Sequence, residues 1–317
     1  MATTINADNG VSSGSAGLKQ TADNSGSLVL QTNGTSALTI DTSQVVTFAN
    51  PPTSGIQVDY GSRGLKGTYG SGYYSTVSSM SYSADVVVLT NSNGAPVRRT
   101  SVGPITCSVS TAGPVANGRD QSGAFSNSSW VHFYFIWNGS TIATICSATA
   151  PPTGPTLPSG YTHWCYIGAI YLKSDGYLKP VYQRGAKIGY LYDYGQSLVL
   201  STTSTGNGNC NISSVIPPNA ISYDVHAEFG GNASNGDFQT YIYVSYDANA
   251  QGSSYGHGQL THYAYSTSLA FGSAQICTMP YISNTLYYTI YGAGAGFVNS
   301  SWYLFLPTYS VPNGGES

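Results

Sequence analysis

Asp224, His226 and Glu228 place two carboxylates and an imidazole at alternate positions of one apolar-rich run. On a strand such positions share a face. Paired carboxylates are what glycoside cleavage needs, one as acid and the other as base or nucleophile. Asp237 and Asp247 add carboxylates nearby, at loop or strand ends, where Asp more often serves turns. A polysaccharide depolymerase is therefore the least favoured function here. His163 and Cys165 also lie two apart, but a zinc site needs about four ligands and no second pair accompanies them. No GxSxG motif stands at a strand-to-helix elbow. Gly292-Ala-Gly-Ala-Gly296 lacks the Lys-Ser/Thr of a phosphate loop and reads as a loop between strands. No catalytic residue, metal or cofactor is expected, and the chain is not read as an enzyme.

Binding chemistry is better represented. The chain carries 27 tyrosines, clustered at 69–74, at 190–194 and at Tyr263 and Tyr265. An aromatic ring with a hydroxyl at its rim suits a sugar face, and it equally suits a half-buried strand or a subunit interface. Tyr255, Tyr263 and Tyr265 are taken as candidate ligand-binding residues. Lys173, Lys179, Arg184 and Lys187 fall in one stretch opposed only by Asp175. They form either a solvated face or an anion-binding patch. Net charge is −3, which does not suit a nucleic-acid binder.

Charged residues are only 7% of the 317, against about 25% in ordinary domains. Glycine (38) and proline (15) supply many turns, and no stretch shows the composition and period of a long helix. The fold class expected is all-β. Strands are predicted at 85–90, 131–137, 141–146, 163–172, 178–181, 188–192, 197–201, 211–215, 221–229, 238–246, 285–291 and 301–306. Asn138-Gly139 marks the clearest hairpin. The five cysteines are odd in number and contain no CxxC, so buried thiols from a reducing compartment are expected. Neither a signal-peptide core nor a membrane-length apolar run is seen, so no membrane insertion is expected.

Near the start, three short runs (28–30, 37–40 and 45–48) are separated by Asn33-Gly34 and 41–44, and Pro51-Pro52 follows. A meander this small is marginal alone. Residues 17–52, GLKQTADNSGSLVLQTNGTSALTIDTSQVVTFANPP, resemble a segment near the start of tailed-bacteriophage tail-fibre and related virion proteins. The resemblance implies a homotrimer anchored by its N-terminus to other virion proteins (portal, adaptor, tail or capsid), with distal β domains that bind host-surface glycan. It implies assembly in the bacterial cytoplasm and residence in the virion. A capsid decoration or head fibre is the alternative. Leu28, Leu30, Leu38, Ile40, Val45 and Phe48 are the expected anchoring residues. The organisation expected is an arm and anchor at 1–56, a β-sandwich or jelly roll at 57–194, and a second at 195–317.

Overall fold

The computed structural model describes residues 28–32, 35–40, 46–48, 61–69, 76–191, 197–233, 238–248, 258–264, 269–293 and 297–312. The chain divides into two units, Met1–Gln57 and Val58–Ser317. In the first, β1 (Leu28–Thr32), β2 (Thr35–Ile40) and β3 (Val46–Phe48) make an antiparallel meander. Backbone register sets Leu28 opposite Ile40, Leu30 opposite Leu38, Leu38 opposite Phe48 and Ile40 opposite Val46. Leu28, Leu30, Leu38, Ile40 and Phe48 thus occupy opposed positions. Val45 lies outside the described residues.

The second unit is an all-β sandwich of antiparallel sheets, with no α-helix among the described residues. Its strands are β4 (Gly61–Arg63), β5 (Lys66–Tyr69), β6 (Ser79–Asn91), β7 (Pro96–Ser108), β8 (Ser129–Trp137), β9 (Ile142–Ser147), β10 (His163–Leu172), β11 (Val181–Arg184), β12 (Lys187–Tyr190), β13 (Leu198–Thr202), β14 (Gly206–Asn211), β15 (Ser222–Ala233), β16 (Phe238–Ser245), β17 (Gly258–Ala264), β18 (Leu269–Pro280), β19 (Thr285–Ala293), β20 (Phe297–Phe305) and β21 (Thr308–Ser310). The larger sheet runs β13-β20-β15-β21-β12-β11-β5-β6-β10-β8-β9, with β18 on β15 and with β4 and β7 on β6. The smaller runs β14-β19-β16-β17. Strand pairing crosses the boundary expected near residue 195, because β21 hydrogen-bonds to both β12 and β15. Turn density could not reveal this, since a three-residue strand from the far end of the chain makes the join.

Side-chain alternation explains the core. On β6, Met80, Tyr82 and Ala84 are buried, then Val87 and Leu89. The register against β7 shifts between Tyr82 and Ala84, and the strand's inward parity changes beyond it. Strand β8 is buried along Val131 to Trp137, as its unbroken apolar run implies. The hairpin expected at Asn138-Gly139 forms: Asn138 Oδ1 accepts from the Ser140 and Thr141 amides, and Gly139 has φ of 97°.

Two predicted strands are displaced: the one expected at 178–181 lies at Val181–Arg184, and the one expected at 211–215 lies earlier. Residues 212–216 make a turn in which the Val215 and Ile216 amides both donate to the Ile212 carbonyl. Ile212, Val215 and Ile216 bury at a helical spacing just before Pro217. The strand lies earlier, in Gly206–Asn211, whose glycines and asparagines carry little strand propensity.

Tyrosine serves the interior. Tyr134, Tyr190 and Tyr309 donate to the carbonyls of Thr149, Val215 and Ala169 at 2.6, 2.5 and 2.6 Å. His132 Nδ1 lies 3.1 Å from the Tyr166 hydroxyl, which also accepts from Asn219 Nδ2 at 2.7 Å. Burial pushes the His132 ring down to about 4. A lowered imidazole value stabilises the fold above the unfolded value of about 6.5, and that contribution is lost as pH falls from there towards 4. Over this window the wild type should lose about 3 kcal/mol that His132→Gln does not lose. Urea unfolding at pH 7 and pH 4 checks this, and equal losses in the two proteins would refute it.

Candidate functional site

The smaller sheet places most of its apolar side chains on one face by strand alternation. Ile242 and Val244 of β16, Leu286 and Ile290 of β19, and Cys210 of β14 are buried. The intervening residues take the opposite face. On β16 these are Tyr241, Tyr243 and Ser245, and on β19 they are Tyr287, Thr289 and Tyr291. Register sets Tyr241 opposite Tyr291, Tyr243 opposite Thr289, and Ser245 opposite Tyr287. Strand β14 continues the rows, with Asn207 opposite Thr289 and Asn209 opposite Tyr287.

Four tyrosines and two exposed asparagines therefore share one face. Tyr241 and Tyr243 have ring centroids 6.2 Å apart and nearly parallel planes, at 15°. Tyr243 meets Tyr291 edge-on at 5.9 Å and 79°. Tyr291 is 45% exposed. Thr289, buried among them, donates from Oγ1 to Asn207 Oδ1 at 2.9 Å, which orients that amide. Rings present an apolar face with a hydroxyl at the rim, and amides both donate and accept. This combination suits a ligand with C–H faces and many hydroxyls.

Of the tyrosines named from sequence, Tyr263 takes the β17 register position opposite Gln239 in this same sheet. Tyr255 and Tyr265 lie outside the described residues. Tyr241, Tyr243, Tyr287 and Tyr291 were not singled out. The signal for them was present, as tyrosine alternating with aliphatic residues along YIYV and through LYYTIY.

The carboxylate pair does not form a dyad. Asp224 accepts from Lys187 Nζ at 2.7 Å and from Thr278 and Thr308 Oγ1 at 2.6 Å each. Burial raises its carboxyl value, but these three donors outweigh burial and hold it below the ordinary range. A group held ionised this way cannot serve as the proton donor. Glu228 instead lies 3.8 Å from His226 Nε2. The register shift after Val225 falls on β18, and β15 alternates without a break: Tyr223, Val225, Ala227 and Phe229 are buried, so Asp224, His226 and Glu228 share the other face as expected, with Asp224 and Glu228 four residues apart along it. His163 Nδ1 lies 2.8 Å from Thr162 Oγ1, and burial pushes the Cys165 thiol up to about 12. No group of three metal-ligating side chains occurs among the described residues.

A cleft of about 200 Å³ opens where β6 parts from β4 and takes up β10, lined by Gly61, Val88, Thr90, Trp164, Tyr166 and Pro312. Its walls are largely apolar. The Tyr166 hydroxyl already serves His132 and Asn219, so it offers a ligand little hydrogen bonding.

No protein-family model and no curated protein sequence matches this chain. Among solved structures it is similar to an insecticidal delta-endotoxin of Bacillus thuringiensis at 10% identity, with a TM-score of 0.20. The alignment covers 85% of this chain and 57% of the toxin chain. It is also similar to a chain of the T13 IBDV viral particle at 9% identity and a TM-score of 0.21, covering 81% of this chain and 67% of that one. Overlap this loose carries no functional argument, and the site stands on its own chemistry.

Because Asp224 joins β12, β15, β18 and β21, Asp224→Ala should cost about 2 kcal/mol by leaving the buried Thr308 hydroxyl without its acceptor. Urea denaturation at pH 7 measures this. An unchanged midpoint would show that the network contributes nothing.

Proposed function

We propose that the chain is a bacteriophage virion appendage, a tail fibre or short spike, anchored through residues 1–56 and adhesive through the second unit. The observation that carries the adhesive half is the outward face of Tyr241, Tyr243, Tyr287 and Tyr291 flanked by Asn207 and Asn209. The ligand class it suits is a host-surface glycan, whose C–H faces stack on the rings while its hydroxyls meet the amides. The anchoring half rests on the resemblance of residues 17–52 to tail-fibre and related virion proteins. Opposed apolar positions on β1, β2 and β3 support it, because so small a meander gains stability by burying that surface in a homotrimer or on a virion partner.

The proposal has two tests. Purified chain should bind glycan prepared from the host surface, and Tyr241→Ala with Tyr291→Ala should weaken binding about tenfold or more with little change in melting temperature. Undiminished binding would remove this face from the proposal. Immunogold labelling of virions with an antibody to residues 57–317 should place the chain on the tail. Gold spread over the capsid would instead make it a decoration protein, and unlabelled particles would end the virion reading.

A further inference from the structure

The four basic residues close together in sequence do not form one patch. Lys173 pairs with Asp175 at 2.8 Å. Lys179 is buried, with Nζ 5.4 Å from the Tyr171 ring and 5.1 Å from the Tyr190 ring. Arg184 and Lys187 remain, exposed and directly opposite each other on the β11–β12 hairpin. The fold adds a third cation that sequence proximity cannot show. Lys66 on β5 is register partner to Arg184 from the other side, and it too is exposed.

Three neighbouring strands thus carry Lys66, Arg184 and Lys187 in a single row on one face of the larger sheet. Like charges directly opposite one another destabilise a sheet. Only ten basic residues occur in the whole chain, so three in one row is a concentration. Lys187 has Asp224 as its partner at 2.7 Å. Lys66 and Arg184 have no carboxylate within ion-pair distance among the described residues; Asp85, further along β6, lies against Gly64 instead. Arg184 spends one donor on the Gln183 carbonyl at 3.3 Å, which leaves most of its guanidinium fork uncommitted.

Beside the row stands an aromatic ring. Tyr182 precedes Arg184 by two residues, shares its face, and is 38% exposed. It lies over Gly189, its register partner on β12: a Cβ at that glycine would sit 2.4 Å from the ring. The ring is therefore held against the backbone, with its outer face towards solvent and the cations alongside.

We infer that Lys66, Arg184 and Lys187, with Tyr182, form an oxyanion-binding site for an acidic saccharide, one whose sugar carries a carboxylate or a phosphate. The guanidinium and the two ammonium groups supply charge-assisted hydrogen bonds to the oxyanion. The tyrosine supplies a stacking surface for the ring that bears it. A ligand there would also relieve the repulsion along the row. This surface contains none of the residues of the tyrosine–asparagine face, and its test leaves that face intact.

The test is binding of the full chain, by calorimetry at low ionic strength, to three oligosaccharide probes: oligogalacturonate, a glycerol-phosphate polymer bearing sugar, and a neutral oligogalactose. The expected result is binding to one or both acidic probes, none to the neutral one, and loss of affinity at high salt. The two acidic probes distinguish carboxylate from phosphate. Arg184→Gln should weaken binding about tenfold, and Tyr182→Ala should weaken it at unchanged salt dependence. Without ligand, Lys66→Gln should melt about 1–2 °C higher than wild type, because it removes a like-charge opposition. No binding to either acidic probe would overturn the proposal. Affinity unaffected by Arg184→Gln, or duplex DNA bound as tightly as the saccharides, would also overturn it.

Discussion

A chain with only 7% charged residues must satisfy most of its buried polar groups by neutral hydrogen bonds, and much of the structure follows from that constraint. Leaving a buried donor or acceptor unmatched costs more than the net gain of an average hydrogen bond. Here tyrosine hydroxyls reach across the interior to backbone carbonyls. The bond from Tyr309 to Ala169 joins residues 140 apart in sequence and ties β21 to β10. Around it, Trp130 meets Tyr171 and Tyr309 edge-on at 5.3 and 5.8 Å, and Tyr190 meets Tyr309 at 5.8 Å. The large tyrosine content is in good part an internal framework.

The buried carboxylate of Asp224 follows the same constraint. Asp224 has its oxygens occupied by one lysine and two threonines, and so becomes a junction of four strands. The geometry that makes it a good junction removes it from acid–base chemistry. His132 is similarly neutral and enclosed beside Tyr166. Asp224 and His132 are therefore structural, and the surfaces suited to ligands are built from less conspicuous residues.

Both of those surfaces arise from strand alternation. Burying Ile242, Val244, Leu286 and Ile290 turns Tyr241, Tyr243, Tyr287 and Tyr291 outward. Burying Gln183 and Ile188 turns Tyr182, Arg184 and Lys187 outward in the same way. Strand order then decides which outward residues become neighbours. It brings Asn207 beside Thr289 and Lys66 beside Arg184.

The sequence by itself determined the all-β class, the long buried strand β8, the hairpin at Asn138-Gly139 and the three short strands of the first unit. Each rests on local period, propensity or turn chemistry, which neighbouring residues carry. It did not show β4, β5, β7, β17, β18 or β21, and it misplaced β11 and β14. Such strands are short, interrupted by glycine or proline, or rich in small polar residues, and their partners lie far along the chain. The tertiary structure alone decided that residues 58–317 form one unit, that Asp224 is a junction, and that Lys66 joins Arg184 and Lys187 while Lys173 and Lys179 do not. Those outcomes depend on register between distant strands. A shift of one residue exchanges the inward and outward sets, and no local pattern encodes which distant strand will be the partner.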